Sequence, residues 1–502
     1  MTTYDEVPYL TLARPQTHPD RLATHAYLFG LSAPDPDSAR VLEIGCGDGG
    51  NLIPMAYAMP GAAFTGVDLA ATAIAKGREL SGSLGLRNIS LHNMDMRDLG
   101  PDFGNFDYIL AHGVYSWVPA DARDALLEHI GALLAPDGVA YVSYNTYPGG
   151  HLREMMRDMM LYHIRKITGL EEKVTAARAF AASFAGDADP GTNGPSVLSE
   201  EAARVLERAP FELLHDELSE HHRHVYFHEF AAHARRHGLR YLAEADAQGL
   251  GDLPVMEGAD RQEREQYKDF VICRRFRQSL LCRDGIRAAD DVDAARVAGL
   301  RAAAEVQEAP GSGTPASPAG RQFRVSAHGH TAEVSTDHPV AGAALAELGA
   351  RWPASVAVAD LSTQIRRRVS PGVSEEAAAV LDGLLLRLYV AGVLDLNIAP
   401  HRYATRAGSR PAVSAVARAQ ARTHSRVANL RNAMVEITDD LTRSMILYLD
   451  GSHDRAEIRL RLETQTGVRA DDAAIDRALQ SLAASALLVP EDRERTARPV
   501  AA

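Results

Sequence analysis

The chain has 502 residues, 46% hydrophobic and 24% charged, with a formal net charge of −13. That composition describes a globular protein long enough for about three domains. The interspersed acidic excess argues against a nucleic-acid backbone or an anionic membrane as the main partner.

Cys46, Cys273 and Cys282 are too few and too scattered for a disulfide framework, so a reducing compartment is expected. "MTTYDEVPYL" has neither a basic nor an apolar leader segment, and "VLDGLLLRLYVAGVLDL" is interrupted by Asp382 and Arg387. The expectation is a cytoplasmic protein that does not enter a membrane.

From Val41 to about Asn145, short apolar runs alternate with helical patterns, as in a parallel α/β sheet. Strands are expected over Val41–Ile44, Ala63–Val67, Ile89–His92, Tyr108–Ala111 and Val139–Tyr144, with helices such as Ala71–Leu80 and Arg123–Leu134 between them. Residues 1–165 are assigned to this first domain and 166–307 to a helical middle domain. "EAPGSGTPASPAG", residues 308–320, has linker composition with no periodicity.

Beyond it, the units 321–400 and 401–502 repeat one order: helix, turn, helix, acidic cap, helix and a short apolar run. That is the order of a winged-helix module, present twice. The second helices, in "SVAVADLSTQI" and "DRAEIRLRLE", lack a concentrated basic face. Packing or partner docking is therefore expected of these modules rather than nucleic-acid binding.

"VLEIGCGDGGN" carries the chemistry. Gly45, Gly47 and Gly50 fit GxGxxG, a weak signal alone, because both a dinucleotide and other adenosine cofactors use such a turn. Glu43, just before the glycines, would repel a pyrophosphate but could pair with an ammonium. "AFTGVD" ends in Asp68, suited to ribose hydroxyls. "ISLHNMDMRDL" puts Asp95 beyond the third strand for an adenine amino group, with Met96 beside the ring. Acids after three successive strands favour S-adenosylmethionine over a nicotinamide cofactor.

Over these first 150 residues the sequence resembles the class I S-adenosylmethionine-dependent methyltransferases, which have a Rossmann-like sheet. The resemblance implies cofactor contacts at Glu43, Gly45, Cys46, Gly47, Asn51, Asp68, Leu69, Asp95, Met96 and His112. A wider resemblance rests on "YDEVPY", "PQTHPDRLAT", "LFGL", "AHGVYSWVP", "VYFHEFAAHARRHGLRYLAEAD" and "YKDFVICRRFRQSLLCR". These are similar to bacterial methyltransferases with a regulatory domain, including protein lysine methyltransferases. "LTLAR", residues 10–14, departs from the pattern, and the last third matches loosely.

The fold expected is thus α/β: a Rossmann-like sheet, a helical middle domain and C-terminal winged-helix-like modules. The expected reaction is methyl transfer to a side-chain nitrogen of a protein or peptide, lysine favoured. Alternatives are a small-molecule or natural-product N/O-methyltransferase and a non-catalytic cofactor-binding regulator. His112, Tyr115 and Trp117 after the fourth strand, with Tyr144 and Asn145 after the fifth, should wall the methyl-transfer site, joined by Tyr147. Tyr4, Tyr9 and His18 could close over it as a lid.

The His-rich stretch from His215 to His237 has no HExxH motif and no nearby cysteine. It reads as a polar interdomain face, with no metal expected. Met155, Met156, Met159 and Met160 read as a packing seam on one helix. A homodimer is an open expectation.

Overall fold

The computed structural model describes residues 6–7, 9–185, 197–246, 254–310, 320–327, 329–369, 376–467 and 469–491. Helix α1 (Pro19–Leu28) precedes five parallel strands, β1 (Arg40–Ile44), β2 (Ala63–Asp68), β3 (Ile89–Asn93), β4 (Phe106–Ala111) and β5 (Leu134–Asn145). Helices α2 (Leu52–Ala58), α3 (Ala71–Ser83) and α4 (Ala120–Leu133) connect them. Both faces of the sheet are covered, because alternate side chains serve different cores. Val41, Tyr108, Leu110, Val139 and Tyr141 join the core beneath α1 and α2. Leu42, Ile109, Ala111, Ala140 and Val142 join the opposite core, beneath α4.

The strand order β3-β2-β1-β4-β5 is continued by two strands from the segment read as a helical middle domain. β7 (Phe276–Arg283) lies antiparallel beside β5, with Tyr141 opposite Leu280 and Ser143 opposite Gln278, and β6 (Leu239–Glu244) lies antiparallel beside β7 at the sheet edge. The expected boundary at residue 166 is therefore not the edge of the sheet. The polar content of "FRQSLLCR" disguised a buried strand. Its Arg277 is fully buried and is balanced by Asp269 (2.8 Å), Glu244 (2.7 Å) and Glu265 (3.2 Å), with Phe227 under the guanidinium. Glu265 and Asp269 lie on α9 (Arg261–Val271), and Phe227 opens α8 (Phe227–Arg236).

The helical part of that segment is smaller. It comprises α5 (Gly150–Ile164), α6 (Leu170–Ala182) and α7 (Val197–Glu207), which share a separate core. Met156 and Met160 form the seam there, whereas Met155 is exposed.

The expected linker at 308–320 is flanked by two strands that pair with each other. Its flanks, β8 (Glu305–Glu308) and β9 (Arg321–Ala327), pair antiparallel with Gln307 opposite Arg324, while residues 311–319 lie outside the described residues. Pro, Gly and Ser are what a hairpin connection requires as much as what a linker requires. One core runs from Val297 to Leu396, so this unit begins before the linker rather than after it. It contains α10 (Pro339–Arg351), α11 (Val358–Arg368) and α12 (Ala377–Val390).

The last unit holds α13 (Ala415–Ala421), a hairpin of β10 (Arg426–Ala428) and β11 (Met434–Glu436), then α14 (Asp440–Ile446), α15 (Arg455–Thr466) and α16 (Asp472–Ala484). No helix among the described residues is long and apolar enough to cross a membrane.

Candidate active site

A cleft of about 780 Å³ opens at the carboxyl ends of the parallel strands, where the strand order reverses between β1 and β4. The loop after β1 forms its floor. Gly47, at φ +56°, suits a residue without a side chain. A Cβ there would meet Thr11 Cγ2 at 2.4 Å, and one on Gly50 would meet the Thr11 carbonyl at 2.3 Å. The glycines therefore also let the N-terminal strap, residues 9–18, cross the loop. Gly45 and Cys46 line the cleft, with the Cys46 thiol buried and pushed well above its ordinary pKa by desolvation.

Glu43 sits on the core face of β1 and is 4% exposed. Its Oε1 accepts from Asn51 Nδ2 at 2.9 Å, while Oε2 has no hydrogen-bond partner among the described residues. Burial raises its pKa to about 8; Asn51 and Arg14 oppose that rise, and Asp68 and Asp48 add to it. At neutral pH the carboxyl is thus mostly protonated, with Oε2 the atom free to carry the proton. Arg14 lines the same end of the cleft.

Asp68, at the tip of β2, uses one carboxylate oxygen for each side of the turn. Oδ2 accepts from Gly47 N and Oδ1 from Ala70 N, both at 2.8 Å. Leu69 beside it is 53% exposed although apolar, and it forms an uncovered wall with Met94, Met96 and Val118. Asp95 lies in the expected place, but Arg97 grips its carboxylate at 2.6 and 3.1 Å and also reaches Asp121 at 2.8 Å. That pairing holds the Asp95 pKa below its usual value.

His112 and Trp117 line the cleft; Tyr115 and Tyr144 do not. Tyr115 packs edge-on against Phe230, Tyr144 stacks on Phe230 at 4.0 Å, and both rings are buried in the core under α4 and α8. Position after a strand end does not say which way a ring turns, and Phe230, remote in sequence, supplied the apolar surface that drew both inward. Asn145 does line the cleft. Its Oδ1 accepts from Arg153 at 3.0 Å, and its buried Nδ2 has no partner among the described residues.

Tyr147 stacks on His151 and donates to Glu154, outside the cleft. Tyr9 lines the far end against Phe211 and His215. Tyr4 lies outside the described residues. His18 caps the N-terminus of α1 instead of serving a lid, accepting from Asp20 N.

A relay fixes the proton on His112. Tyr141 OH donates to Gln278 Oε1 at 2.8 Å, so its oxygen receives the His112 Nδ1 proton at 2.9 Å. Nε2 is left as an acceptor, and burial pushes the imidazole pKa well below 6.5, so it stays neutral. Gln278 belongs to β7, so this control comes from outside the first 150 residues.

The far end of the cleft was not legible in the sequence. Arg153 pairs with Glu217 at 2.8 Å, Arg208 with Asp216 and Glu217 at 3.1 Å, and Arg275 with Glu201. These side chains come from α5, α7 and the residue after it, residues 213–217, and the residue before β7, and no local spacing links them. Thr11 and Arg14 had one signal: they stand in "LTLAR", where the sequence departs from the resembled pattern.

Two His clusters, Asp124 with His233 and His237 and Glu154 with His222 and His224, bring three ligand atoms within 4.8 Å of one another. Asp124 accepts from both of its histidines at 3.0 Å, tying α4 to α8.

Comparison with known proteins matches three family models: "Methyltransferase domain" over residues 42–140, "Predicted methyltransferase regulatory domain" over 210–283, and "PKMT, C-terminal winged helix domain" over 409–488. Rickettsia prowazekii RP789 is 40% identical over 294 residues, 57% of this chain and 53% of that protein, so the chain spans about half of its length. RP028 of the same organism is 36% identical over 242 residues, 48% of this chain and 96% of that protein. Among solved structures, PKMT2 from Rickettsia typhi in complex with AdoHcy superposes with a TM-score of 0.86 at 25% identity, covering 96% of this chain and 100% of that one.

Proposed function

Because the chain belongs to the class I S-adenosylmethionine-dependent methyltransferases, we propose that it transfers a methyl group from S-adenosylmethionine to a side-chain nitrogen, lysine favoured, of a protein or peptide. The observation that carries this reading is the buried, half-partnered Glu43 carboxyl facing the same cleft end as Arg14. An acid and a guanidinium side by side suit the ammonium and carboxylate of an amino acid tail and do not suit a pyrophosphate. The Asp68 carboxylate and the bare Leu69 and Met96 wall suit a ribose and a purine. S-adenosylmethionine supplies, when bound, a methyl group on a positively charged sulfur.

The chain's own work is alignment. A lysine amine has an ordinary pKa of about 10.4, and neutralising it near pH 7.4 costs about 4 kcal/mol. Burial and nearby positive charge both lower that cost. His112 Nε2 offers a lone pair to an amine N–H, Trp117 provides an apolar wall, and Asn145 adds a second polar contact. The whole-chain likeness to PKMT2 supports a macromolecular substrate.

Labelled S-adenosylmethionine incubated with fractionated lysate, followed by intact-mass analysis of labelled species, tests this. Label confined to small molecules would overturn the protein-substrate reading. His112→Ala should lower kcat by about 100-fold through misalignment, with an unchanged melting temperature.

Glu43 also sets a pH dependence. Its pKa is raised, so below about pH 8 it must lose the Oε2 proton when a cationic amine seats against it. Affinity for AdoHcy should therefore rise with pH from 6 towards 8, and binding at pH 7 should release close to one proton. Calorimetry in buffers of different ionisation enthalpy reads this directly, and Glu43→Gln should abolish the release.

A further inference from the structure

We infer that Asn432, at the tip of the β10–β11 hairpin in the C-terminal unit, is a positioning residue of the cofactor site and makes that unit part of it. Resting on the reading above, this gives the C-terminal unit a task in the site.

Asn432 Nδ2 donates to Asn51 Oδ1 at 2.9 Å and to the Arg14 carbonyl at 3.1 Å. Asn51 Oδ1 also accepts the Arg14 backbone N–H at 2.9 Å, which fixes which end of the amide is oxygen. The Asn51 Nδ2 is thereby turned towards Glu43 Oε1 and Thr17 Oγ1, while Glu43 Oε2 stays buried without a hydrogen-bond partner among the described residues. A residue 381 positions away thus helps to hold the amide that pairs with the Glu43 carboxyl.

The hairpin tip is built for this. Asn432 has φ +55°, a left-handed conformation that asparagine tolerates, and is 2% exposed. Asn429 Oδ1 accepts the backbone N–H of both Arg431 and Ala433, and Arg431 lies between the Trp352 and Tyr403 rings at 4.8 Å from each. Leu430, Ala412 and Ala486 share one core with Leu52 and Met55 of α2, the helix that follows the glycine loop. Docking of this unit and order in the loop are therefore one packing event, and ligand affinity must depend on it reciprocally.

The test uses the full chain with AdoHcy as probe. Asn432→Gly keeps the left-handed backbone and deletes only the amide; it should weaken AdoHcy about tenfold. Asn432→Asp, which turns an oxygen towards Asn51 Oδ1, should do worse. The charged groups facing Glu43 are Arg14, Asp48 and Asp68, and all stay in place. Loss of the oriented Asn51 bond, which lowers the Glu43 pKa, should move the affinity plateau to higher pH. A merely structural role would leave that plateau where it was.

AdoHcy should also slow amide exchange in residues 429–433. Parent protein that binds AdoHcy while Asn432→Gly keeps equal affinity and pH profile, or exchange at 429–433 indifferent to AdoHcy, would overturn the role of Asn432. Failure of the parent protein to bind AdoHcy would instead overturn the cofactor reading.

Discussion

Asp68→Ala is expected to weaken AdoHcy binding by about two to three orders of magnitude, since charge-assisted hydrogen bonds contribute about 1.5–3 kcal/mol each and every 1.4 kcal/mol is tenfold. The carboxylate acts twice. Its oxygens hold Gly47 N and Ala70 N, which shape the turn, and their remaining lone pairs face the cleft, where ribose hydroxyls would bind. Alanine removes both roles, whereas asparagine retains one acceptor and should lose less. Calorimetric titration with AdoHcy, alongside a melting curve, separates lost contacts from lost fold. Unaltered affinity in a folded Asp68→Ala protein would end the assignment of this cleft to S-adenosylmethionine.

Arg277→Met is expected to cost the sheet about 3–5 kcal/mol, the range for removing one partner of a buried ion pair. Asp269, Glu244 and Glu265 would remain around a side chain unable to balance them. Glu265 illustrates the stakes: burial alone would raise its pKa, but Arg277 and Lys268 outweigh that and bring it to about 2. Its carboxylate stabilises the fold above its ordinary pKa and loses that contribution as pH falls towards 2. Without Arg277 the carboxylates favour protonation, so the variant should be most impaired at neutral pH and recover partly under mild acid. The melting temperature at pH 7 should fall by roughly 5 °C. A change of a degree or two would mean that solvent reaches these carboxylates.

His112 shows how the parts interlock. Its place after β4 followed from the strand pattern, yet its tautomer is set by Tyr141 and by Gln278 from β7. Tyr115 and Tyr144 show the reverse. They share the same strand ends and the same residue type, but Phe230 from α8 takes them into the core.

The alternation of apolar strand and amphipathic helix through residue 145 was written in local periodicity, and so were the acids at strand tips, because a side chain at the end of a strand must lie at the ligand-facing edge of a parallel sheet. Local composition could not show that the strands flanking residues 308–320 pair with each other, since a reversing chain and a free one ask for the same residues. Nor could it show that β6 and β7 complete the sheet, that Thr11 crosses the glycines, or that Asn432 reaches Asn51. Those depend on contacts between residues far apart in the chain, and such contacts exist only once the hydrophobic cores have brought the units together.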